Sequence, residues 1–208
     1  MLYVQQSLSP NEEILMGARF HWMYTATAVG WILFGLALSI GVGYGAIWVE
    51  ISSIIRDNYP EIPQELYAKA WDQVVAQKGG YLQILWKMHV SIRIGILAFF
   101  VLGLYFFAHK MVVKATTEIA VTTERLVYKK GLIARHVGEI NIDRIEGVSV
   151  RQGAVARIFG YGIVCIRGMG VGEVMLPPIE NPIEFRKAVN EAKAMRDKSG
   201  NLKTDDFG

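Results

Sequence analysis

Apolar residues are spread along the chain in three patterns. From Trp22 to Val49 no charged residue occurs for 28 positions. As a helix this run extends roughly 42 Å, beyond a bilayer core of about 30 Å, so a tilted transmembrane helix is predicted over residues 22–49. Trp22 and Tyr24 at one end and Trp48 at the other would sit in the two interfacial belts. A second uncharged run, Ile94 to Ala108, is only 15 residues long, short for a span. Extending it back to Leu85 predicts a second span over 85–108, which then includes Lys87, His89 and Arg93. Arg93 either snorkels to the headgroups as an anchor or pairs with a partner or an anionic lipid.

Between the two runs the pattern becomes amphipathic. Pro63 opens and Gly79-Gly80 closes a predicted helix. Leu66, Tyr67, Ala70, Trp71, Val74 and Val75 share one face of it, against Lys69, Asp72, Gln73 and Gln77. Tyr67 and Trp71 make this helix a candidate contact for the membrane interface or for a partner protein.

Beyond His109 the period shortens to that of strands. Six runs rich in Val and Ile follow, 116–122, 126–130, 136–142, 148–152, 163–167 and 173–176, separated by turn residues. Asn181-Pro182-Ile183-Glu184 then reads as a helix start. The helix is predicted to bury Phe185, Val189, Ala192 and, near its end, Met195, and runs to about Asp197, ahead of a polar tail, 198–208. The predicted architecture is a membrane α-helical hairpin joined to an all-β barrel or roll, 109–197, capped by a C-terminal helix.

Composition fits this mixture. Of 208 residues 52% are hydrophobic and 20% charged, and the mean hydropathy is +0.27. That is too apolar for disorder and too charged for a chain that lies mostly in lipid. The net charge of +3 is too small to indicate nucleic-acid binding. Residues 109–208 hold 16 Lys/Arg against 12 Asp/Glu. Lys110, Lys114, Arg125, Lys129 and Lys130 crowd the exit of the second span, against three Lys/Arg in 50–83. The positive-inside rule therefore puts both termini in the cytoplasm and the 50–84 segment outside. The N-terminal segment, 1–21, lacks the basic start and early apolar core of a cleavable signal.

Little in the sequence suggests chemistry. His21, His89, His109 and His136 are scattered, with no second ligand at metal spacing. Gly168-Met169-Gly170-Val171-Gly172 lacks the Lys-Ser/Thr ending of a phosphate loop and reads as a hairpin connection. Cys165 reads as a small buried strand residue, and a single cysteine excludes an intramolecular disulfide. No activated nucleophile, carboxylate pair or cofactor fingerprint is visible, so no enzyme, cofactor, metal or small-molecule substrate is expected. Lys110 and Lys114 would meet anionic lipid beside the membrane at about 1 kcal/mol each. In the first span Ala37, Gly41 and Gly45 recur at four-residue spacing. Such a ladder suits close helix packing, against either the second span or another subunit.

Several of these segments resemble the bacterial pleckstrin-homology (PH) domain of small membrane proteins. The marks are Thr122 to Arg125, Gly131, Ile140 to Ile145 leading into Val148-Ser149-Val150-Arg151-Gln152, Arg157-Ile158-Phe159-Gly160-Tyr161-Gly162, and the helix after Asn181-Pro182. Leu8 to Trp22 resembles the usual lead-in segment. The resemblance implies a short cytoplasmic N-terminus and two transmembrane helices ahead of a cytoplasmic domain, in the inner membrane of a bacterium. The outer segment here is longer than usual, and one strand of the fold is not apparent. The resemblance is specific for architecture. With no catalytic constellation in view, the expected function is a non-catalytic interaction module, either a self-assembling scaffold or an accessory subunit of a larger membrane complex. Its contacts would run through the Gly41/Gly45 face, the outer helix and the barrel rim. Eukaryotic relatives of the fold bind lipid headgroups through a basic first loop. The alternative is therefore a sensor of anionic headgroups using Lys129, Lys130 and neighbouring arginines, which also interleave with acids as on a solvated strand face. Expected partners are membrane lipids and other copies or other membrane subunits.

Overall fold

The computed structural model describes residues 2–131, 136–170 and 172–205. The chain divides into two compact units, Met1–Ala26 with Lys110–Gly208, and Thr27–His109. In chain order the elements are α1 (Leu2–Gln6), β1 (Ile14–Ala18), α2 (Trp22–Asn58), α3 (Gln64–Gln77), α4 (Tyr81–Lys87) and α5 (Val90–Thr116). Then come β2 (Glu118–Thr122), β3 (Arg125–Lys130), β4 (His136–Asn141), a single 3-10 turn (Ile142–Arg144) and β5 (Ile145–Arg151). The chain continues through α6 (Ala154–Phe159), β6 (Tyr161–Gly168), β7 (Gly172–Met175), β8 (Ile179–Glu180) and α7 (Pro182–Asp205).

In the helical unit, α2 and α5 are the two helices long and apolar enough to cross a membrane. Their apolar side chains point largely outward, with Ile40 63% and Leu97 61% exposed. The helices meet where both lack side chains. A Cβ on Gly35 would stand 2.8 Å from the Gly103 Cα and from the Phe99 carbonyl, and one on Gly103 would stand 2.9 Å from the Gly35 Cα. The Ser39 hydroxyl donates to the Ile96 carbonyl at 3.0 Å, and a Cβ on Gly43 would stand 3.5 Å from the Ile96 Cδ1. The ladder facing α5 is therefore Gly35, Ser39 and Gly43. Ala37, Gly41 and Gly45 are offset from it by two residues, roughly 200° around the helix. A Cβ added at Gly41 or Gly45 meets nothing within 4 Å. These residues do not pack against the chain's own second apolar helix.

Helix α3 follows Pro63, whose fixed φ suits the position before the first turn. Its apolar face packs inward: Ala70 and Val74 are buried with Ile51, Ile55, Ile84 and Met88. Tyr67 and Trp71, expected to face a partner, instead lie half-buried against this cluster. The Tyr67 hydroxyl donates to Ser52 Oγ at 3.3 Å, and the Trp71 indole N–H donates to the Tyr81 hydroxyl at 3.2 Å. The second apolar helix starts at Val90 rather than Leu85. Met88 is extended, and His89 Nδ1 accepts the Ser91 N–H at the start of α5.

In the other unit two antiparallel sheets run β1-β2-β3-β4 and β5-β6-β7, with β8 paired to β6. Ile119, Val121, Leu126 and Ile140 of the first sheet meet Val164 and Ile166 of the second, and Phe185, Val189 and Ala192 of α7 close that core. Ala120 and Val127 point to the opposite face, where Val4 of α1 covers them. This double coverage explains why β2 is nearly continuously apolar. Two strands were not expected from the sequence: β1, with Ala18 opposite Ile119 and Gly17 opposite Ala120, and the two-residue β8. Past β1 the same segment turns to the second sheet. His21 N–H donates to the Pro178 carbonyl, Glu180 N–H to the Arg19 carbonyl, and Phe20 bridges Ile179.

Helix α6, also unexpected, is one short turn ended by Gly160 in the left-handed region at φ 75°. Helix α7 continues to Asp205, into the segment expected to be a polar tail. Arg135, Val171 and the last three residues of that tail lie outside the described residues.

The glycine contact gives a direct test of the hairpin. Gly35→Leu or Gly103→Leu is expected to destabilise the helical unit by about 3 kcal/mol, the upper end for overpacked sites. Thermal unfolding of the detergent-solubilised full chain would register it.

Candidate functional site

The most tightly bonded polar cluster joins the N-terminal segment to the first hairpin of the β domain. Glu12 precedes β1, and its side chain is fully buried. Arg125 opens β3 and grips that carboxylate with two bonds, Nε to Oε1 at 3.0 Å and Nη2 to Oε2 at 2.9 Å. The same guanidinium donates to the Ser7 carbonyl at 2.6 Å and to Glu139 Oε2 at 2.8 Å. Thr122, at the end of β2, donates its hydroxyl to Glu12 Oε1 at 2.7 Å and accepts the Arg125 N–H at 3.0 Å. The Ser9 N–H donates to Glu12 Oε2 at 2.9 Å. Burial pushes the Glu12 carboxyl up, but the bonds from Ser9, Thr122 and Arg125 outweigh it and hold the group below its ordinary 4.5. The Glu12 hydrogen bond is the main cause that raises the Arg125 guanidinium above its ordinary value. The cluster is an architectural clamp, with its donors and acceptors turned on one another.

The start of α2 is fastened to the same unit. The His21 ring is buried, stacks on Tyr161 at 5.1 Å between centroids and accepts the Met23 N–H on Nδ1. Trp22 meets Phe159 of α6 edge-on at 5.7 Å. Val155, Ile158 and Phe159 leave α6 with an exposed apolar face, Ile158 being 80% exposed. Lys110 lies 5.1 Å over the Tyr24 ring, and the Lys114 ammonium donates to the Thr25 hydroxyl. These two lysines, expected to meet anionic lipid, thus also tie the end of α5 to the first turn of α2.

The remaining residues singled out in the sequence do not form one site. The Lys129 ammonium is 3.5 Å from Glu118 Oε1 and 4.9 Å over the Tyr3 ring. Glu118 also accepts the backbone N–H groups of Tyr3 and Val4. Lys130 is exposed at the end of β3. Arg93 lies with its guanidinium 5.4 Å over the Trp86 ring. On the second sheet, Ser149 and Cys165 are cross-strand neighbours, and Gly147 pairs with Arg167, which pairs with Glu173. Together they line a shallow hollow of about 320 Å³ that the sequence did not suggest. Among the described residues, no group of three or more His, Cys, Asp or Glu could hold a metal ion.

Two antiparallel sheets closed by a C-terminal helix are consistent with a PH-like fold. The bacterial PH domain family matches residues 74–193, more than half of the chain, and the chain belongs to that family. No curated protein and no solved structure matches it. PH domains are generally non-catalytic binding modules for lipids or proteins.

The clamp has a pH signature. A folded-state pKa below the unfolded value gives stability that is fully present above about pH 4.5 and lost as pH falls through the folded pKa. Glu12→Gln is expected to cost about 3 kcal/mol, the low end for a broken buried pair because Arg125 keeps some contact with water. It should also flatten the acid limb of the unfolding temperature, measured by circular dichroism from neutral pH down to pH 3.

Proposed function

We propose that the protein is a membrane-anchored, non-catalytic interaction module that works as a self-assembling scaffold or as an accessory subunit of a larger membrane complex. In this reading α2 and α5 span the inner membrane of a bacterium, and both termini face the cytoplasm. Their long exposed apolar surfaces support it, since soluble monomers rarely show contiguous apolar patches of that size. The exposed apolar face of α6, beside Trp22, fits a domain resting against the headgroup layer. The N-terminal segment that pairs with both sheets is what a partly open roll would need to close.

The observation that carries the interaction role is the Ala37, Gly41 and Gly45 ladder, which the chain's own second apolar helix leaves uncovered. Small residues at four-residue spacing let another helix backbone come close in lipid. The alternative, an anionic-headgroup sensor built on Lys129 and Lys130, is less well supported, because Lys129 is already paired with Glu118.

Cross-linking in native membranes tests the proposal. Wild-type protein is expected to capture a second copy or another membrane subunit. Gly41→Leu/Gly45→Leu should lose that capture with no change in unfolding temperature, since both added side chains enter open space. A wild-type protein that is strictly monomeric and captures nothing would remove the basis for the proposal.

A further inference from the structure

The helical unit holds a cleft of about 840 Å³ between α4 and the first turns of α5. Its walls are Leu82, Leu85, Trp86 and Ile96, and Lys87 and Arg93 are its charged residues. No carboxylate lines it. Glu50, which shares a smaller cavity with Lys87, makes no ion pair with it among the described residues. The break at Met88 is what separates α4 from α5 here.

We propose that this cleft binds one anionic phospholipid, with its phosphate held by Lys87 and Arg93 and its acyl chain against Leu85, Trp86 and Ile96. The site lies in the helical unit and not on the two sheets, and it rests on the reading that α2 and α5 lie in a membrane.

Three features converge on that ligand. First, the two cations stand where the uncharged stretch 94–108 begins, the depth at which headgroup gives way to hydrocarbon. Second, the Arg93 Nε is buried without a hydrogen-bond partner. A buried donor of that kind is costly unless an acceptor reaches the group, and phosphate oxygens suit a guanidinium. Third, the cleft is open and mostly apolar beside its charges, so it matches an amphiphile better than a free anion. From Ile96 an acyl chain can continue along the exposed apolar surface of α5 at Leu97 and Phe100.

The test uses the full-length protein in neutral detergent, titrated with phosphatidylglycerol or phosphatidylcholine bearing brominated chains. Quenching of Trp86 is isolated by difference from a Trp86→Phe protein. Phosphatidylglycerol is expected to bind in preference to phosphatidylcholine. Lys87→Gln should weaken it about fivefold and Lys87→Gln/Arg93→Gln about thirtyfold, following roughly 1 kcal/mol per cation. Arg93→Lys should retain most of the binding. Leu82 is 83% exposed, so Leu82→Ser can weaken binding without disturbing the core. If the double variant fails to fold, Lys87→Gln alone decides, because that side chain is exposed. Equal binding of the two lipids overturns the proposal, as does a Lys87→Gln protein that binds like wild type. Displacement of the lipid by millimolar inorganic phosphate would make the cleft a free-anion site and overturn it too. Extraction of the protein from membranes by alkaline carbonate would sink the spanning reading. Retention in the membrane without lipid preference would sink only the cleft assignment.

Discussion

The ion pair between Glu12 and Arg125 joins residues 113 positions apart, and the arrangement of the β domain depends on it. Between its partners the chain leaves through α2, passes the whole helical unit and returns through α5. Closing so long a loop costs conformational entropy, and a buried bidentate pair helps to offset it. The pair also fixes where β1 can lie. With Glu12 held by Arg125 and Thr122, the next residues fall into register on β2. The residues after β1 then reach Pro178 and Glu180 on the other sheet. One short segment thus joins both sheets.

The helical unit solves a different problem with smaller groups. In the proposed membrane setting two long apolar helices gain little by hydrophobic association, so close approach and hydrogen bonding decide how they pair. Gly35 against Gly103 brings the backbones together, and Ser39 adds a hydrogen bond to the Ile96 carbonyl. Helix α3 extends this packing beyond the apolar stretch, where Ile51, Ile55 and Val74 form a compact cluster. The surfaces left over are the second small-residue ladder and the cationic cleft, and the proposed interactions rest on these two.

Much of the architecture was legible because it follows from local pattern. Uncharged runs mark α2 and α5, and short apolar runs between turn residues mark β2 to β7. Strand β1 was not legible. Ile14-Leu15-Met16-Gly17-Ala18 has few β-branched residues, and its strand conformation comes from a partner more than a hundred residues away. The Glu12–Arg125 pair was not legible for the same reason, since nothing near Glu12 in sequence announces Arg125. Helix α6 is too short for helical periodicity to show between Gly153 and Gly160. The two ladders on α2 were indistinguishable in sequence, because 35–39–43 and 37–41–45 carry the same spacing. Only the position of Gly103 on α5 selects between them. Lys129 was a headgroup candidate, but its pairing with Glu118, and the bonds from α1 to that carboxylate, involve residues outside the local motif.

The N-terminal segment is an integral strand of the β domain, locked in place by Glu12 and Arg125. Amide hydrogen exchange on the detergent-solubilised full chain tests it most directly. The amides of β1 are expected to be protected to the same degree as those of β2 and β3, and Arg125→Ala is expected to release β1 first. Free exchange across residues 14–18 in the wild-type protein, with β2 and β3 still protected, would contradict it.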